Sequence, residues 1–393
     1  MSGAVDFFKI KNFLAPEEIA VRKTAREFVD NEVIPIIKEH FKKGTFPMEL
    51  IPHVAELRFL GANIPWDEDG PDTNSMGYGL MMQELERGDS GLRSFVSVQS
   101  ALVMYPIWKF GSEAQKEKWL PLLGQGKVIG CCGVTEPDHG SDPASMETTA
   151  TPKGGGFVLN KEKTWITNAS IADIAIVWAR VVPPSDSETI RGFIVEKGTA
   201  GFTQNKITDE KYCLRASVTG SLVLDDCWVP EENVLPKTGE LKNLLSCFNE
   251  ARYGIAWGAI GAAAACYETA LRYSQTRKQF GKEIGKFQLT QDKLAEMLRK
   301  ITAMQSLCYL LGRNKDTKRA SHNEISLAKW NNTWETIHIA LSSISILGAA
   351  GTTDAHPAIR HLLNMIAVWI YEGTGEVHKL SIGRNITGFD AFR

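Results

Sequence analysis

Gly154-Gly-Gly-Phe-Val-Leu-Asn-Lys-Glu-Lys-Thr-Trp-Ile-Thr-Asn168 marks a change in the texture of the chain. Three glycines give way to a short β-branched and aromatic run, Phe157–Leu159. Similar runs recur at Ile174–Ala179, Phe193–Val195 and Leu222–Leu224. Such residues pack well on a pleated surface, and the turn residues between them separate one strand from the next. Pro183-Pro184 and Pro230 punctuate the same stretch. The segment from about Cys131 to Pro236 therefore reads as an antiparallel β domain.

On either side the apolar spacing is helical. Upstream, Val21, Ala25, Phe28 and Val29 mark one stripe on a helix that Pro35 should kink or end. Ser75 to Phe110 is rich in Leu, Met and Val without strict alternation, as buried helices are, and Ser112-Glu-Ala-Gln115 has the form of a capping box. Gly124 and Gly126 break that pattern. Downstream, Leu294, Met297, Leu298, Ile301, Met304, Cys308 and Leu311 trace the apolar face of a bundle helix, and Gly348–Thr353 precedes a further helix around Ile359–Trp369. The expected architecture is α+β in three parts. An N-terminal α-helical domain covers 1–130, the central antiparallel β domain 131–238, and a C-terminal four-helix bundle 239–393.

The 393 residues carry 44 basic and 46 acidic side chains, a net charge of −2, and are 43% hydrophobic. That balance excludes a disordered chain and gives no basic excess for nucleic acid. The apolar stretches at 258–266 and 365–371 fall short of the ~18 residues that would span a membrane. Met1–Leu14 lacks the basic flank and apolar run of a secretory signal. Seven cysteines with no CxxC pair argue against a disulfide framework or zinc site and for a reducing compartment. His356 and His361 flank Pro357 at a spacing that does not suit helical metal ligands, so no metal is expected. Neither GxGxxG nor GxxxxGK[ST] occurs, which disfavours Rossmann and P-loop nucleotide sites.

Four segments remain as candidates for chemistry. Gly133-Val-Thr-Glu-Pro-Asp-His-Gly-Ser-Asp142 is a polar loop whose Thr135 and Ser141 hydroxyls suit a cofactor or phosphate, or simply form a turn. In Lys163–Asn168, alternation puts Trp165 and Thr167 on one side and Thr164, Ile166 and Asn168 on the other; an indole beside a hydroxyl suits a flat heteroaromatic ring, and a half-buried strand explains the same pattern. Arg277-Lys-Gln-Phe-Gly281 offers a guanidinium fork for pyrophosphate or a solvated helix end. Ile370-Tyr-Glu-Gly-Thr-Gly375 places Glu372 in apolar company, where a carboxylate becomes a better proton acceptor, or else ends a helix with an exposed acid.

In order and spacing these four segments together resemble the acyl-CoA dehydrogenase family, over roughly Pro16 to Phe392. Leu85–Val103, Arg191–Gly198, Leu214–Gly220, Ala251–Gly258 and Gly383–Phe392 resemble its glutaryl-CoA dehydrogenase branch. The resemblance implies two helical domains around a β domain, a homotetramer, one FAD per subunit, an acyl-CoA substrate and an electron-transferring flavoprotein as acceptor. It implies Glu372 as the base that removes the α-proton, with Arg252 and Tyr371 beside it at the substrate. Trp165 and Thr167 would lie on the isoalloxazine, Thr135 would touch the flavin, and Ser141 would lie near cofactor and CoA phosphates. Arg277 and Phe280 would serve a neighbouring subunit's FAD, as would the loop holding Thr374, and Glu376 would bind the cofactor. Arg93 and Ser97 would hold the distal carboxylate of a glutaryl group, with Glu86 helping to orient Arg93. A buried guanidinium without a partner is costly, which favours a dicarboxylic acyl chain over a monocarboxylic one; alternatively Arg93 caps a helix and points to solvent.

The chain departs from the family pattern at Cys132, where an aromatic is usual, at Ile346-Leu-Gly-Ala-Ala-Gly351 and at Glu376. The implied reaction is oxidation of glutaryl-CoA with decarboxylation to crotonyl-CoA. Alternatives are an acyl-CoA oxidase, a dehydrogenase of another short acyl-CoA, and a glutaryl-CoA dehydrogenase that does not decarboxylate. The expected compartment is a bacterial cytoplasm, with a mitochondrial matrix second.

Overall fold

Two helical layers enclose a sheet in the computed structural model, which describes residues 5–66, 73–182, 190–207 and 211–392; Pro183 and Pro184 lie outside them. The N-terminal helices are α1 (Pro16–Phe28), α2 (Ile34–Lys43), α3 (Ile51–Glu56), α4 (Ser75–Gly88), α5 (Ser90–Ser97), α6 (Tyr105–Phe110) and α7 (Glu113–Gly124). Pro35 does not end its helix. The chain widens into a π turn over Val29–Val33 and resumes as α2 with the proline in its first turn, where a missing N–H is harmless. Helix α4 is buried from Met76 to Gly88, which accounts for its lack of a polar face. Asp89 then breaks the chain and caps α5, accepting from Gly91 N at 2.7 Å. The capping box at α7 is present: Gln115 N donates to Ser112 Oγ at 3.2 Å and Ser112 N to Gln115 Oε1 at 2.9 Å.

The strands are β1 (Gly130–Gly133), β2 (Thr149–Pro152), β3 (Gly156–Thr167), β4 (Ile174–Val181), β5 (Ile190–Glu196), β6 (Phe202–Lys206) and β7 (Thr219–Pro230). Their order is β1-β4-β2-β3-β7-β6, with β5 also pairing with β4. The sheet is mixed, not antiparallel as expected, because β4 runs parallel to both β1 and β2. Strand texture carries no information about a neighbour's direction, and β1 meets β4 across the intervening β2–β3 hairpin.

A second correction falls within β3. Lys163 pairs with Leu222 but Ile166 with Gly220, so one extra residue bulges out, with Trp165 at φ 60°. Lys163 and Ile166 thus both face inward, while Thr164 is only partly buried and Trp165 is 61% exposed. Simple alternation fails there.

The C-terminal layer comprises α8 (Leu241–Thr276), a small hairpin of β8 (Lys278–Gln279) and β9 (Lys282–Glu283), α9 (Gln288–Asp316), α10 (His322–Leu347), α11 (Ala358–Ile370) and α12 (Gly375–Thr387). Helices α8 to α11 form the bundle and α12 packs on α10. Met297, Ile301, Met304, Cys308 and Leu311 of α9 face the core as their spacing predicts. Helix α4 crosses α8 closely enough that a Cβ on Gly258 would lie 1.9 Å from Glu86 Oε2. Among the described residues no helix is long and apolar enough to cross a membrane, and no group of three or more metal-ligating side chains comes together.

Candidate active site

Helix α11 ends at Ile370 and α12 is capped by Thr374, whose Oγ1 accepts from Val377 N at 3.3 Å. Between them the chain turns through two consecutive left-handed residues, Glu372 at φ 54° and Gly373 at φ 95°. That conformation costs a glutamate roughly 1–2 kcal/mol, so its surroundings must hold it. Arg252 Nε on α8 donates to Glu372 O at 2.7 Å. Lys329 Nζ on α10 donates to Trp369 O at 3.1 Å and to Tyr371 O and Gly373 O, both at 2.8 Å. With the main chain fixed, the Glu372 carboxyl enters the interior and its Oε2 is buried without a hydrogen-bond partner. Burial raises its pKa, and Arg252, Lys329 and Arg93 pull it back. A desolvated carboxylate tempered by nearby cations suits a general base.

Arg93 on α5 is buried beside this loop. Its Nε donates to Glu86 Oε2 at 2.7 Å, and its Nη2 reaches Glu86 Oε1 and the Tyr371 hydroxyl. Arg93 therefore neither points to solvent nor lacks a counter-charge, and the cost of an unpaired guanidinium does not by itself select a dicarboxylic substrate. Its Nη1 takes part in none of these bonds. Glu86 reaches Arg93 from the last turn of α4 across the break at Asp89, not along one continuous helix. Ser97, one turn beyond Arg93, is buried as well. The Tyr371 hydroxyl is pushed up to about 12, by burial first, and stays protonated.

Cys132 on β1 connects this cluster to the sheet. Its thiol is pushed up to about 12 by burial and then by the Glu372 charge, while Lys163 pulls the other way. Lys163, fully buried, donates to Val134 O at 3.0 Å and Glu136 Oε1 at 2.9 Å. Glu136 also accepts from Glu147 N at 2.6 Å and Thr148 N at 2.8 Å. Burial raises the Glu136 pKa, but these bonds win and carry it to about 2. This buried network fixes the Thr135 loop, and Thr164 N ties it to β3 by donating to Thr135 O at 2.8 Å. The β3 bulge then turns the Trp165 indole outward, with Thr167 half-buried two residues on.

Other expected site residues stand on the surface. Ser141 is exposed, as are Arg277 and Glu376, and Phe280 is 94% exposed on the β8–β9 turn. Of the residues not anticipated, Lys329, His378 and the Lys163–Glu136 pair matter most. His378 is buried with Nε2 unpartnered, and burial pulls its pKa to about 2, so it is neutral. Lys329 had one available signal: it lies on the α10 face of Ile325, Ala328, Asn332 and Thr336, all buried.

An open indole, an adjacent hydroxyl and an orphaned carboxyl oxygen are what a flavin and an acyl thioester would complete, so the residues present fit FAD. Residues 15–127, 131–227 and 241–387 match the N-terminal, middle and C-terminal domains of acyl-CoA dehydrogenases. A solved glutaryl-CoA dehydrogenase from Mycobacterium smegmatis is 46% identical, with a TM-score of 0.95 over 100% of both chains. A second glutaryl-CoA dehydrogenase structure from that organism, in complex with FADH2, is 44% identical, with a TM-score of 0.96 over 100% of both. The short-chain specific acyl-CoA dehydrogenase of Rattus norvegicus is 33% identical over 93% of this chain and 89% of its own. The chain belongs to the acyl-CoA dehydrogenase family of FAD-dependent oxidoreductases.

Proposed function

We propose that this enzyme oxidises glutaryl-CoA between its α and β carbons and releases CO2 to give crotonyl-CoA, passing electrons to an electron-transferring flavoprotein. One observation carries the choice of substrate: the field at Glu372 contains three cations, Arg93, Arg252 and Lys329, while Glu86 and Glu372 supply two carboxylates. A single further carboxylate on the acyl chain balances that set, and the Nη1 of Arg93, which makes no hydrogen bond among the described residues, is a donor for it. Resemblance to two glutaryl-CoA dehydrogenase structures supports the same reading.

Glu372 takes the α-proton. Arg252 and Lys329 hold its main chain, and Arg93 with Ser97 orients the far end of the acyl group. Thr135, Trp165 and Thr167 hold the flavin ring, with Ser141 near the phosphates. FAD, when bound, supplies the hydride acceptor for the β-carbon. Leu327, Trp334 and Leu341 recur every seven residues on α10 and are all exposed, an apolar stripe that supports assembly into a homotetramer. In that assembly Arg277, Phe280 and Thr374 serve a neighbour's FAD, and Glu376 binds cofactor. The compartment we assign is a bacterial cytoplasm.

Anaerobic titration of the purified flavoprotein with glutaryl-CoA and butyryl-CoA, followed by flavin absorbance, tests the assignment. Bleaching by glutaryl-CoA at the lower concentration is expected; bleaching by butyryl-CoA alone overturns it. Release of CO2 after one turnover distinguishes decarboxylation from simple oxidation. A second reading, a short monocarboxylic acyl-CoA, is favoured by Glu86, which already balances Arg93, and by the short-chain relative.

A further inference from the structure

We propose that Lys329 is a positioning residue for the base: its buried ammonium ties together the carbonyls on both sides of Glu372 and so holds that carboxylate inward and charged. The proposal rests on the reading of Glu372 as the proton acceptor. Lys329 is completely buried, yet among the described residues no carboxylate is hydrogen-bonded to it. Its partners are instead three main-chain oxygens, those of Trp369, Tyr371 and Gly373, at 3.1, 2.8 and 2.8 Å. An ammonium has three N–H donors and no lone pair, so three acceptors saturate the charged form, whereas a neutral amine would leave one oxygen facing nitrogen. The bonds bracket Glu372 in sequence and span the left-handed turn.

The groups facing this turn come from several elements. Arg252 on α8 and Arg93 on α5 are permanent cations. Cys132 on β1 and His378 on α12 are held neutral, the thiol pushed up and the imidazole pulled down by burial. Burial pulls the Lys329 pKa well below its ordinary value and the Arg252 and Arg93 charges add to that, while the Glu372 charge opposes it. The three carbonyl acceptors are what favours the ammonium form. Of the three cations only Lys329 grips the loop at more than one carbonyl, so it couples the geometry of the base to its ionisation.

Lys329→Met keeps the length of the side chain and removes its charge and donors. In the holoenzyme we expect unchanged flavin content per chain, a kcat lower by ~100-fold from misplacement of the base, and an acid limb of kcat/KM displaced upward by about 1 pH unit. The sign follows from the charge: with a neighbouring cation gone, the carboxylate holds its proton to higher pH, and the deprotonated form is the active one. Lys329→Arg retains the charge and is expected to keep the acid limb of the parent even where turnover slows. Lys329→Gln is a second neutral variant should the Met variant fail to fold. An unmoved limb in a neutral variant, or activity lost only in proportion to flavin, overturns the proposal. Glu372→Gln separates this from the underlying reading. If Glu372→Gln turns over at more than about a tenth of the parental rate, the base itself is misassigned. If it is inactive and the Lys329→Met limb has not moved, only the role of Lys329 fails.

Discussion

Arg252 donates its Nε to the backbone carbonyl of Glu372, 2.7 Å away, so it holds the peptide of the base and leaves the Oε2 of the carboxyl unpartnered. The guanidinium lowers the pKa of the base through space while leaving that oxygen open for a substrate proton. Arg252→Gln should therefore reduce kcat by ~10–100-fold with little change in flavin content, since it frees the loop and removes a cation together. Stopped-flow bleaching of the flavin by glutaryl-CoA measures the step directly.

The Arg93 fork predicts a loss specific to the acyl chain. Arg93→Lys keeps a charge beside Glu86 but loses the planar donor set. We expect kcat/KM for glutaryl-CoA to fall by ~10²-fold and that for butyryl-CoA by less than about tenfold, read from parallel steady-state assays, because only the former uses the fork. Arg93→Met should instead destabilise the protein by about 3–5 kcal/mol by stranding the buried Glu86, visible as a lower Tm.

Gly258 is the contact surface for Glu86. A methyl group there would meet Glu86 Oε2 at 1.9 Å and Arg93 Nε at 3.2 Å. Gly258→Ala should cost about 1–3 kcal/mol in stability and weaken discrimination in favour of glutaryl-CoA, because the carboxylate must move and the guanidinium with it. Thermal unfolding and the ratio of the two kcat/KM values report these separately.

Glu136 predicts how acid unfolds the β domain. Its folded pKa of about 2 lies below the ordinary 4.5, so its stabilising contribution is complete above pH 4.5 and disappears as pH falls from there towards 2. Glu136→Gln should cost about 3–5 kcal/mol at neutral pH by leaving Lys163 buried alone, and it should flatten the pH dependence of stability below 4.5. Lys163→Met in the same chain should recover part of that loss. Urea unfolding at several pH values tests both expectations.

Local patterns were the legible part of this sequence. The buried face of α9 and the Ser112–Gln115 box depend on neighbours three or four residues apart, and both appear in the structure. Glu372, Arg252, Arg93 and Tyr371, read from the resemblance, come together around one loop. Features set by distant partners were hidden. The parallel pairing of β4, the passage of Pro35 through a π turn, and the meeting of Glu86 with Arg93 across a helix break all depend on tertiary packing. Lys329 was hidden for another reason: a lysine ordinarily marks a wet surface, and only three inward carbonyls explain this one.

The extra residue in β3 sets a length constraint that substitution studies alone would miss. Removing one residue between Lys163 and Ile166 would restore regular pleating with Ile166 still facing inward, and would erase the left-handed bulge that presents the Trp165 indole beside Thr167. Conservative replacements there should be forgiving, whereas single deletions should abolish the yellow colour of the purified protein.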